Sequence, residues 1–350
     1  MVVRLRSIGD TVLATPSLIA LRRFLPDSQI DILLEDWVAP LLDGFDAVDN
    51  VVTVGKGSVS RLSTLRKLRA EKYDVAFNLH GGTTSTFFTV GSGARHRVGY
   101  ADYRYSFLYN HSCPPSAEFW GREKTHSAEQ QLALLGCMGV PVNDRQRSSL
   151  GVTAEAMNSL QAKFARKAQV SLEEFGPFAL LHPAAAFATK QWAIENFART
   201  ADFVAGKGLK CIAVAARHEA GVLEKLAPLA TVLCFDELTL PEITALASQA
   251  SLFVGNDSGI AHIAAAVNTP TVVIFGSSNR DHWRPWTPRN DVSNEIVFEE
   301  FHCQPCPGYE CKEFGKPRCI LSVRPEQVEA AIEKVLPEKT KGERPAPAIP

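Results

Sequence analysis

The sequence predicts two consecutive α/β domains, each built around a mostly parallel sheet. Short apolar runs of strand length alternate with helical stretches along most of the chain. A polar passage with few apolar residues, PVNDRQRSSLGVTAEAM, divides these runs into two series. With 350 residues the chain is long enough for two hydrophobic cores. We therefore expect one domain at residues 1–150 and a second at residues 151–336.

The elements of each domain follow from hydrophobic periodicity. The strands predicted in the first domain are Val2–Arg6, Gln29–Leu34, Val51–Val54 and Val75–Leu79. Its predicted helices are Leu18–Phe24, Leu62–Lys72 and His126–Met138. The strands predicted in the second domain are Phe178–Leu181, Leu209–Val214, Val232–Phe235, Leu252–Val254 and Thr271–Phe275. Its predicted helices include Ala154–Lys167 and Ile260–Val267. Residues 337–350 carry four prolines and little apolar content, which predicts a disordered tail.

The composition excludes some classes of function. Lys and Arg number 37 against 38 Asp and Glu, and this balance argues against general nucleic-acid binding. No segment approaches the roughly 18 to 20 consecutive apolar residues that span a bilayer. The N-terminus also lacks the apolar core of a signal peptide. We expect a cytoplasmic protein that meets a membrane, if at all, as a peripheral protein on the cytoplasmic face of the inner membrane.

Positive charge is concentrated in one part of the first domain. Between Lys56 and Lys124 the chain has 11 Lys and Arg against 5 Asp and Glu. Such a surface suits an acidic partner, either a phosphorylated or carboxylated glycan or an anionic lipid surface. For the charges of Arg61–Lys72 the alternative is an ordinary solvated helix face.

The stretch Ser251–Gly276 predicts a strand, a turn, a helix and a second strand, with the turn at the carboxyl end of the first strand. In this turn Asp257, Ser258 and Gly259 stand where a helix begins. The unpaired N–H groups and the helix dipole favour an anion there. His262 follows Ser258 by four residues and therefore shares its helix face. The alternative is that Asp257 and Ser258 only cap the helix.

Three segments resemble glycosyltransferase family 9, the heptosyltransferases that build the inner core of lipopolysaccharide. They are VVRLRSIGDTVLATPSL, HPAAAFATKQW and DSGIAHIAAAVNTPTVVIFGSSNRDHWRPW. Together they follow the order of the family over nearly the whole chain. The resemblance implies a GT-B fold, in which two Rossmann-like domains with parallel sheets face an inter-domain cleft. It also implies ADP-heptose as the donor and a Kdo or heptose of the lipid-anchored inner core as the acceptor.

The resemblance also implies roles for particular residues. Asp10 would be the general base that deprotonates the acceptor hydroxyl, although a helix cap is the alternative. Lys190 would place a point charge against the diphosphate. Glu219 would contact the nucleoside. The implied donor site comprises Lys190, Glu219, Asp257, Ser258, Gly259 and His262. Because the sequence contains no Asp-x-Asp pair, we expect transfer to require no metal.

Arginines of the first domain are candidates for the acceptor. Arg95, Arg97 and Arg104 could bind its carboxylates or phosphates with two hydrogen bonds each. Surface solvation is the alternative for each of them.

The cysteines fall into two groups. In the cytoplasm we expect all eight to be reduced. Those that occur singly are predicted to fill the core: Cys113, Cys137, Cys211 and Cys234. The other four have the spacing C-x2-C-x4-C-x7-C: Cys303, Cys306, Cys311 and Cys319. This spacing begins like a structural zinc site, with unmetallated thiols and a redox pair as alternatives.

We therefore expect an inverting, metal-independent glycosyltransferase. Two other functions stay open at this point. A nucleotide-sugar epimerase of the same fold would release free sugar without an acceptor, and a non-catalytic nucleotide-sugar-binding protein would not need Asp10.

Overall fold

The computed structural model describes residues 1–228, 232–287, 294–306 and 308–336. Residues 337–350, predicted to form a disordered tail, lie outside the described residues. The described chain forms two six-stranded parallel sheets with helices between the strands, which confirms the predicted α/β class. No helix in this described part is long and apolar enough to cross a membrane.

The first sheet contains the strands of the N-terminal half. These strands are β1 (Val2–Leu5), β2 (Asp31–Glu35), β3 (Asn50–Val54), β4 (Val75–Asn78), β5 (His96–Tyr100) and β6 (His111–Cys113). They lie in the order β3-β2-β1-β4-β5-β6, and every pairing is parallel. The helices of this half are α1 (Ile8–Val12), α2 (Thr15–Phe24), α3 (Ser58–Ala70), α4 (Thr83–Gly91), α5 (Ser116–Trp120) and α6 (Ser127–Gly136).

The second sheet repeats this plan in the C-terminal half. Its strands are β7 (Phe178–His182), β8 (Lys210–Val214), β9 (Val232–Phe235), β10 (Leu252–Asn256), β11 (Thr271–Ile274) and β12 (Asn294–Val297). Their order is β12-β11-β10-β7-β8-β9. The helices are α7 (Ala154–Ala168), α8 (Leu172–Phe175), α9 (Ile194–Gly206), α10 (Ala220–Leu226), α11 (Leu240–Gln249), α12 (Gly259–Ala266), α13 (Arg280–Trp283), α14 (Arg318–Leu321) and α15 (Pro325–Val335).

Both sheets reverse their strand order at one point, between β1 and β4 in the first and between β7 and β10 in the second. Open parallel sheets bind ligands outside the carboxyl ends of their strands at this switch point. Strands β1, β7 and β10 are buried along their whole length, as expected for the middle of a sheet covered on both faces. Each half therefore offers one crevice for a ligand.

The two halves meet where α1 and α12 begin, directly beyond the switch-point strands β1 and β10. Two glycines make this approach possible. A Cβ atom placed on Gly259 would lie 2.7 Å from Cβ of Ile8 and 3.3 Å from the backbone nitrogen of Gly9. A Cβ atom on Gly9 would lie 2.8 Å from Cδ2 of His262. The two crevices consequently open towards each other.

A second contact joins the halves through the chain that follows α13. Nε2 of His126 lies 2.7 Å from the carbonyl oxygen of Arg284, and Nε1 of Trp286 donates to the carbonyl of Gln146 at 2.8 Å. The His126 and Trp286 rings also pack together, with centroids 4.8 Å apart. The segment beyond β11 is therefore fixed to the first half.

The sequence did not predict three of the strands: β5, β6 and β12. Strand β5 contains a histidine and an arginine, β6 has only three residues, and β12 begins with two polar residues. None of them shows the continuous apolar run by which the other strands were recognised. Their pairing partners, which are distant in sequence, determine their conformation.

The expectation that Cys113 and Cys137 are single, reduced core residues is wrong. The structure joins them in a disulfide, with their Cα atoms 6.0 Å apart. Cys113 ends β6 and Cys137 follows α6, which packs against the neighbouring β5. The sequence did not predict this disulfide, because 24 residues separate the two cysteines along the chain. Cys211 and Cys234 are free thiols, as expected.

The Gly259→Ala variant tests the contact between the halves. The added methyl group would overlap Ile8 and crowd the backbone of Gly9, and overpacking of this kind costs about 1–3 kcal/mol. Gly221→Ala is the matched control, because Gly221 lies within α10 and its Cβ would meet nothing within 4 Å. Calorimetry should give a lower Tm for Gly259→Ala and an unchanged or higher Tm for Gly221→Ala. Equal Tm values for the two variants would contradict the close approach.

Candidate active site

Asp10 lies at the switch point of the first sheet, in the short helix α1 that follows β1. Its Oδ1 accepts a hydrogen bond from the guanidinium of Arg4. Its Oδ2 accepts from the backbone N–H of Ser7 at 3.2 Å and from the Ser7 hydroxyl at 3.0 Å. The Asp10 side chain is 20% exposed, so a ligand in the cleft can reach it. The carboxylate therefore caps the helix and faces the cleft at the same time.

Asp257 lies at the switch point of the second sheet. Its Oδ2 accepts from the ammonium group of Lys190 at 2.8 Å and from the hydroxyl of Ser278. The Asp257 side chain is only 5% exposed and Lys190 is 21% exposed. A carboxylate buried to this degree requires a paired cation. The structure thus brings Lys190 and Asp257 together as an ion pair.

Ser258 precedes α12 but does not cap it with its side chain. Its hydroxyl instead lies 3.1 Å from Nδ1 of His182, at the end of β7. Burial lowers the pKa of His182 to about 4, so this imidazole is neutral at physiological pH. The interpretation that Ser258 serves only as a cap is therefore not supported. The first N–H groups of α12 receive no bond from this side chain and can bind an anion.

His262 lies between the two halves. Its ring packs against Gly9, and its buried Nδ1 has no hydrogen-bond partner among the described residues. Burial lowers the pKa of His262, while the carboxylates of Asp257 and Asp10 act in the opposite direction. This imidazole is therefore close to both candidate carboxylates.

A cavity of about 310 Å³ lies beside Lys190. Its lining residues come from three loops: Phe187, Lys190, Ser277, Ser278, Asn279, Trp283, Pro305, Cys306 and Gly308. Ser277, Ser278 and Asn279 are not among the site residues that the sequence predicts. Their position directly after the apolar strand that ends near Phe275 is a signal that could have found them. His182, which ends another central strand, could have been found in the same way.

Glu219 follows β8, the strand next to β7 in the sheet. It therefore lies at the carboxyl edge that also carries Lys190 and Asp257. Its Oε2 accepts from the backbone N–H of Ala216 at 3.3 Å, and the residue is half-buried. Its contact with a nucleoside stays a prediction.

The three arginines of the acceptor prediction do not lie together. Arg95 precedes β5 and Arg97 is its second residue, so both lie at the amino edge of the sheet. Asp10 lies at the opposite, carboxyl edge, because all the strands are parallel. The guanidinium of Arg97 also donates to two backbone carbonyls. Only Arg104, which is exposed and lies over the Tyr105 ring, follows the carboxyl end of β5. The acceptor prediction is therefore kept for Arg104 alone.

The four C-terminal cysteines lie near one another. Burial raises the pKa of Cys319, and the thiols of Cys306, Cys303 and Cys311 raise it further. Across the described ranges, however, no group of three or more His, Cys, Asp or Glu side chains is arranged to hold a metal ion. Cys319 is buried in α14, whereas the other three are half-buried in an irregular segment. Zinc binding here stays a prediction.

Two Rossmann-like domains with switch points facing a common cleft form the GT-B architecture of glycosyltransferases. The chain belongs to glycosyltransferase family 9 (heptosyltransferase), whose profile matches residues 61–316. This membership makes the chain a glycosyltransferase. It therefore argues against both alternatives, the epimerase and the non-catalytic binding protein.

The chain is also similar to individual members of this family. The chain is 29% identical to lipopolysaccharide heptosyltransferase 3 of Escherichia coli (strain K12), over 95% of this chain and 97% of that protein. The E. coli ADP-heptose lps heptosyltransferase II structure gives a TM-score of 0.76 at 21% identity, covering 96% of this chain and 97% of that one. The structure of the E. coli heptosyltransferase WaaC, solved with ADP-2-deoxy-2-fluoro heptose, gives a TM-score of 0.67 at 18% sequence identity, covering 95% of this chain and 98% of that one. At these identities the two structures establish the fold.

The neutral state of His182 predicts a pH dependence of stability. The pKa of this imidazole falls from 6.5 to about 4 on burial, so between these values the unfolded chain binds more protons than the folded one. The contribution of His182 to the free energy of unfolding is therefore complete above about pH 6.5. It declines as the pH falls towards 4, by on the order of 1–3 kcal/mol.

Urea denaturation across this pH range measures the effect. His182→Asn should flatten the decline in the free energy of unfolding, whereas His218→Asn, at an exposed position, should leave it unchanged. A slope that is the same for His182→Asn and the unaltered protein would contradict a buried neutral imidazole.

Proposed function

We propose that this enzyme transfers heptose from ADP-heptose to a Kdo or heptose residue of the lipopolysaccharide inner core, with inversion at the anomeric carbon and without a metal ion. The names of its relatives support the choice of reaction, since lipopolysaccharide heptosyltransferase 3 matches nearly the full chain. One observation carries the mechanism: Asp10 of the first domain lies across the cleft from the start of α12.

The donor would bind in the second domain. The N–H groups at Ser258 and Gly259 face the diphosphate, where the helix dipole favours negative charge. Lys190 adds an ammonium group held in place by Asp257. Glu219, which follows the neighbouring strand β8, lies at the carboxyl edge of the sheet, where it can bind the ribose hydroxyls. His262, whose buried Nδ1 has no hydrogen-bond partner in the described part of the chain, can donate to or accept from the donor.

The transfer would proceed in one displacement. The acceptor hydroxyl gives its proton to the Asp10 carboxylate as its oxygen attacks the anomeric carbon. The bond from that carbon to the diphosphate oxygen breaks, and its electron pair leaves with ADP. Attack from the side opposite the leaving group inverts the configuration. Lys190 and the start of α12 stabilise the negative charge that develops on the diphosphate, the role that a divalent cation serves in other enzymes.

The acceptor would approach along the carboxyl edge of the first sheet. A small crevice there is lined by Lys56 and Arg61 together with the carboxylates of Glu35 and Asp36. Arg104 lies farther along the same edge, beyond β5. Apolar side chains of the same half are exposed nearby in sequence: Trp37, Val59, Leu62 and Phe87. Exposed cations and apolar residues in the same half suit a phosphorylated, lipid-anchored acceptor at the cytoplasmic face of the inner membrane.

The Asp10→Asn variant tests the general base. The amide keeps the shape of the carboxylate but cannot accept the proton, so kcat should fall by about 10²–10⁴-fold. The Kd for ADP, measured by calorimetry, should change little, because ADP binds in the other domain. Turnover at the original rate would remove Asp10 from the mechanism.

The Lys190→Met variant tests the diphosphate site. Loss of the ammonium group should weaken ADP binding by about tenfold or more. Because this change also leaves Asp257 buried without a partner, the double variant Lys190→Met/Asp257→Asn serves as a neutral comparison. Weak ADP binding by both variants, unaffected by a chelator, is the expected result. Normal ADP affinity in the double variant would contradict this role of Lys190.

A further inference from the structure

Arg4 is a charged residue in the middle of the first sheet. It belongs to β1, which is buried along its whole length and otherwise apolar. Its side chain is only 8% exposed. A buried guanidinium is costly unless its donors are paired, so its presence in a central strand calls for a specific partner.

The end of β1 departs from regular pairing at this residue. Val3 of β1 lies opposite Leu33 of β2. The next paired residue, Leu5, lies opposite Leu34, so Arg4 is an extra residue in this pairing. Leu5 then has a φ angle of 41°, in the left-handed region that residues with side chains rarely adopt. Bulges of this kind redirect a side chain and are common beside active sites.

The redirected guanidinium joins both sides of the first crevice. Nη2 of Arg4 donates to Oδ1 of Asp10. Nη1 donates to the carbonyl oxygen of Leu79, directly after β4, at 3.0 Å. Ser7 holds the other oxygen of the carboxylate through its N–H and its hydroxyl. Both oxygens of Asp10 are thereby fixed, and the orientation of the carboxylate is set by Arg4 together with the chain on either side of it.

We propose that Arg4 is the positioning residue for Asp10. This inference rests on the proposed function, in which Asp10 accepts the proton of the acceptor hydroxyl. A base must lie within hydrogen-bond reach of the proton that it removes, and its orientation decides whether a lone pair faces that proton. Arg4 anchors Oδ1 to the framework of the sheet, and so directs the accessible part of the carboxylate towards the cleft. Arg4 itself contacts neither substrate.

The experiment compares Arg4→Met, Arg4→Lys, Asp10→Asn and the double variant Arg4→Met/Asp10→Asn in full-length enzyme with ADP-heptose and an inner-core acceptor. Arg4→Met should lower kcat by at least about tenfold, because small displacements of a catalytic group have effects of that size. Arg4→Lys should recover part of this loss, since an ammonium group can still bind one oxygen. The Kd for ADP should stay within about twofold in each variant.

The double variant separates positioning from a general structural role. If Arg4 acts through Asp10, the double variant should be no slower than Asp10→Asn alone. Arg22→Met is the control, because Arg22 forms a more exposed ion pair with Asp49, at 2.6 Å, where Asp49 directly precedes the amino end of β3 and lies away from the cleft. Its kcat should be unchanged.

The outcomes are distinguishable. An unchanged kcat for Arg4→Met beside an inactive Asp10→Asn overturns the role of Arg4 and leaves the proposed function intact. Losses that multiply in the double variant also overturn it, because they show an effect independent of Asp10. Turnover of Asp10→Asn at the original rate overturns both the general-base role of Asp10 and this inference, while heptose transfer by the enzyme would still stand. If Arg4→Met fails to fold, as judged by its Tm, the same comparisons are made with Arg4→Lys.

Discussion

The contact between the start of α1 and the start of α12 determines the geometry of the cleft. Each helix follows a strand at a switch point, so each begins where its own sheet offers a ligand crevice. Side chains at Gly9 or Gly259 would keep these ends apart. With hydrogen in their place, the two crevices approach closely enough for His262 of one domain to experience the carboxylate of Asp10 in the other. The catalytic centre that we propose, which is shared by the two domains, depends on this approach.

Charge is balanced separately within each domain. Asp10 pairs with Arg4 in the first, and Asp257 pairs with Lys190 in the second. Because each carboxylate has a cation from its own domain, neither half brings an unpaired buried charge to the cleft, which would be strongly unfavourable. Two buried histidines of the second domain follow the same principle: burial lowers the pKa values of His182 and His262, which favours their neutral forms.

The segment after β11 links the cavity beside Lys190 to the first domain. Ser278 and Asn279 line the cavity. A few residues later, Arg284 and Trp286 bond to the first domain. A ligand in this cavity would therefore also act on the domain contact, since the same short stretch of chain serves both.

The sequence by itself determined the features that depend on neighbouring residues. Alternating apolar runs predict the central strands, and strand-turn-helix patterns place Asp10 and Ser258 at helix starts, because such motifs are local. The family resemblance added Lys190 to the candidate site residues. The tertiary structure alone decided which residues far apart in the chain meet, such as Ser258 with His182 and Cys113 with Cys137. It also decided the bulge in the pairing of β1 with β2, at which Arg4 meets Asp10 six residues further on. It also placed Arg97 at the edge of the sheet opposite Asp10. Strand order and pairing register create these contacts, and periodicity along the chain does not encode either of them.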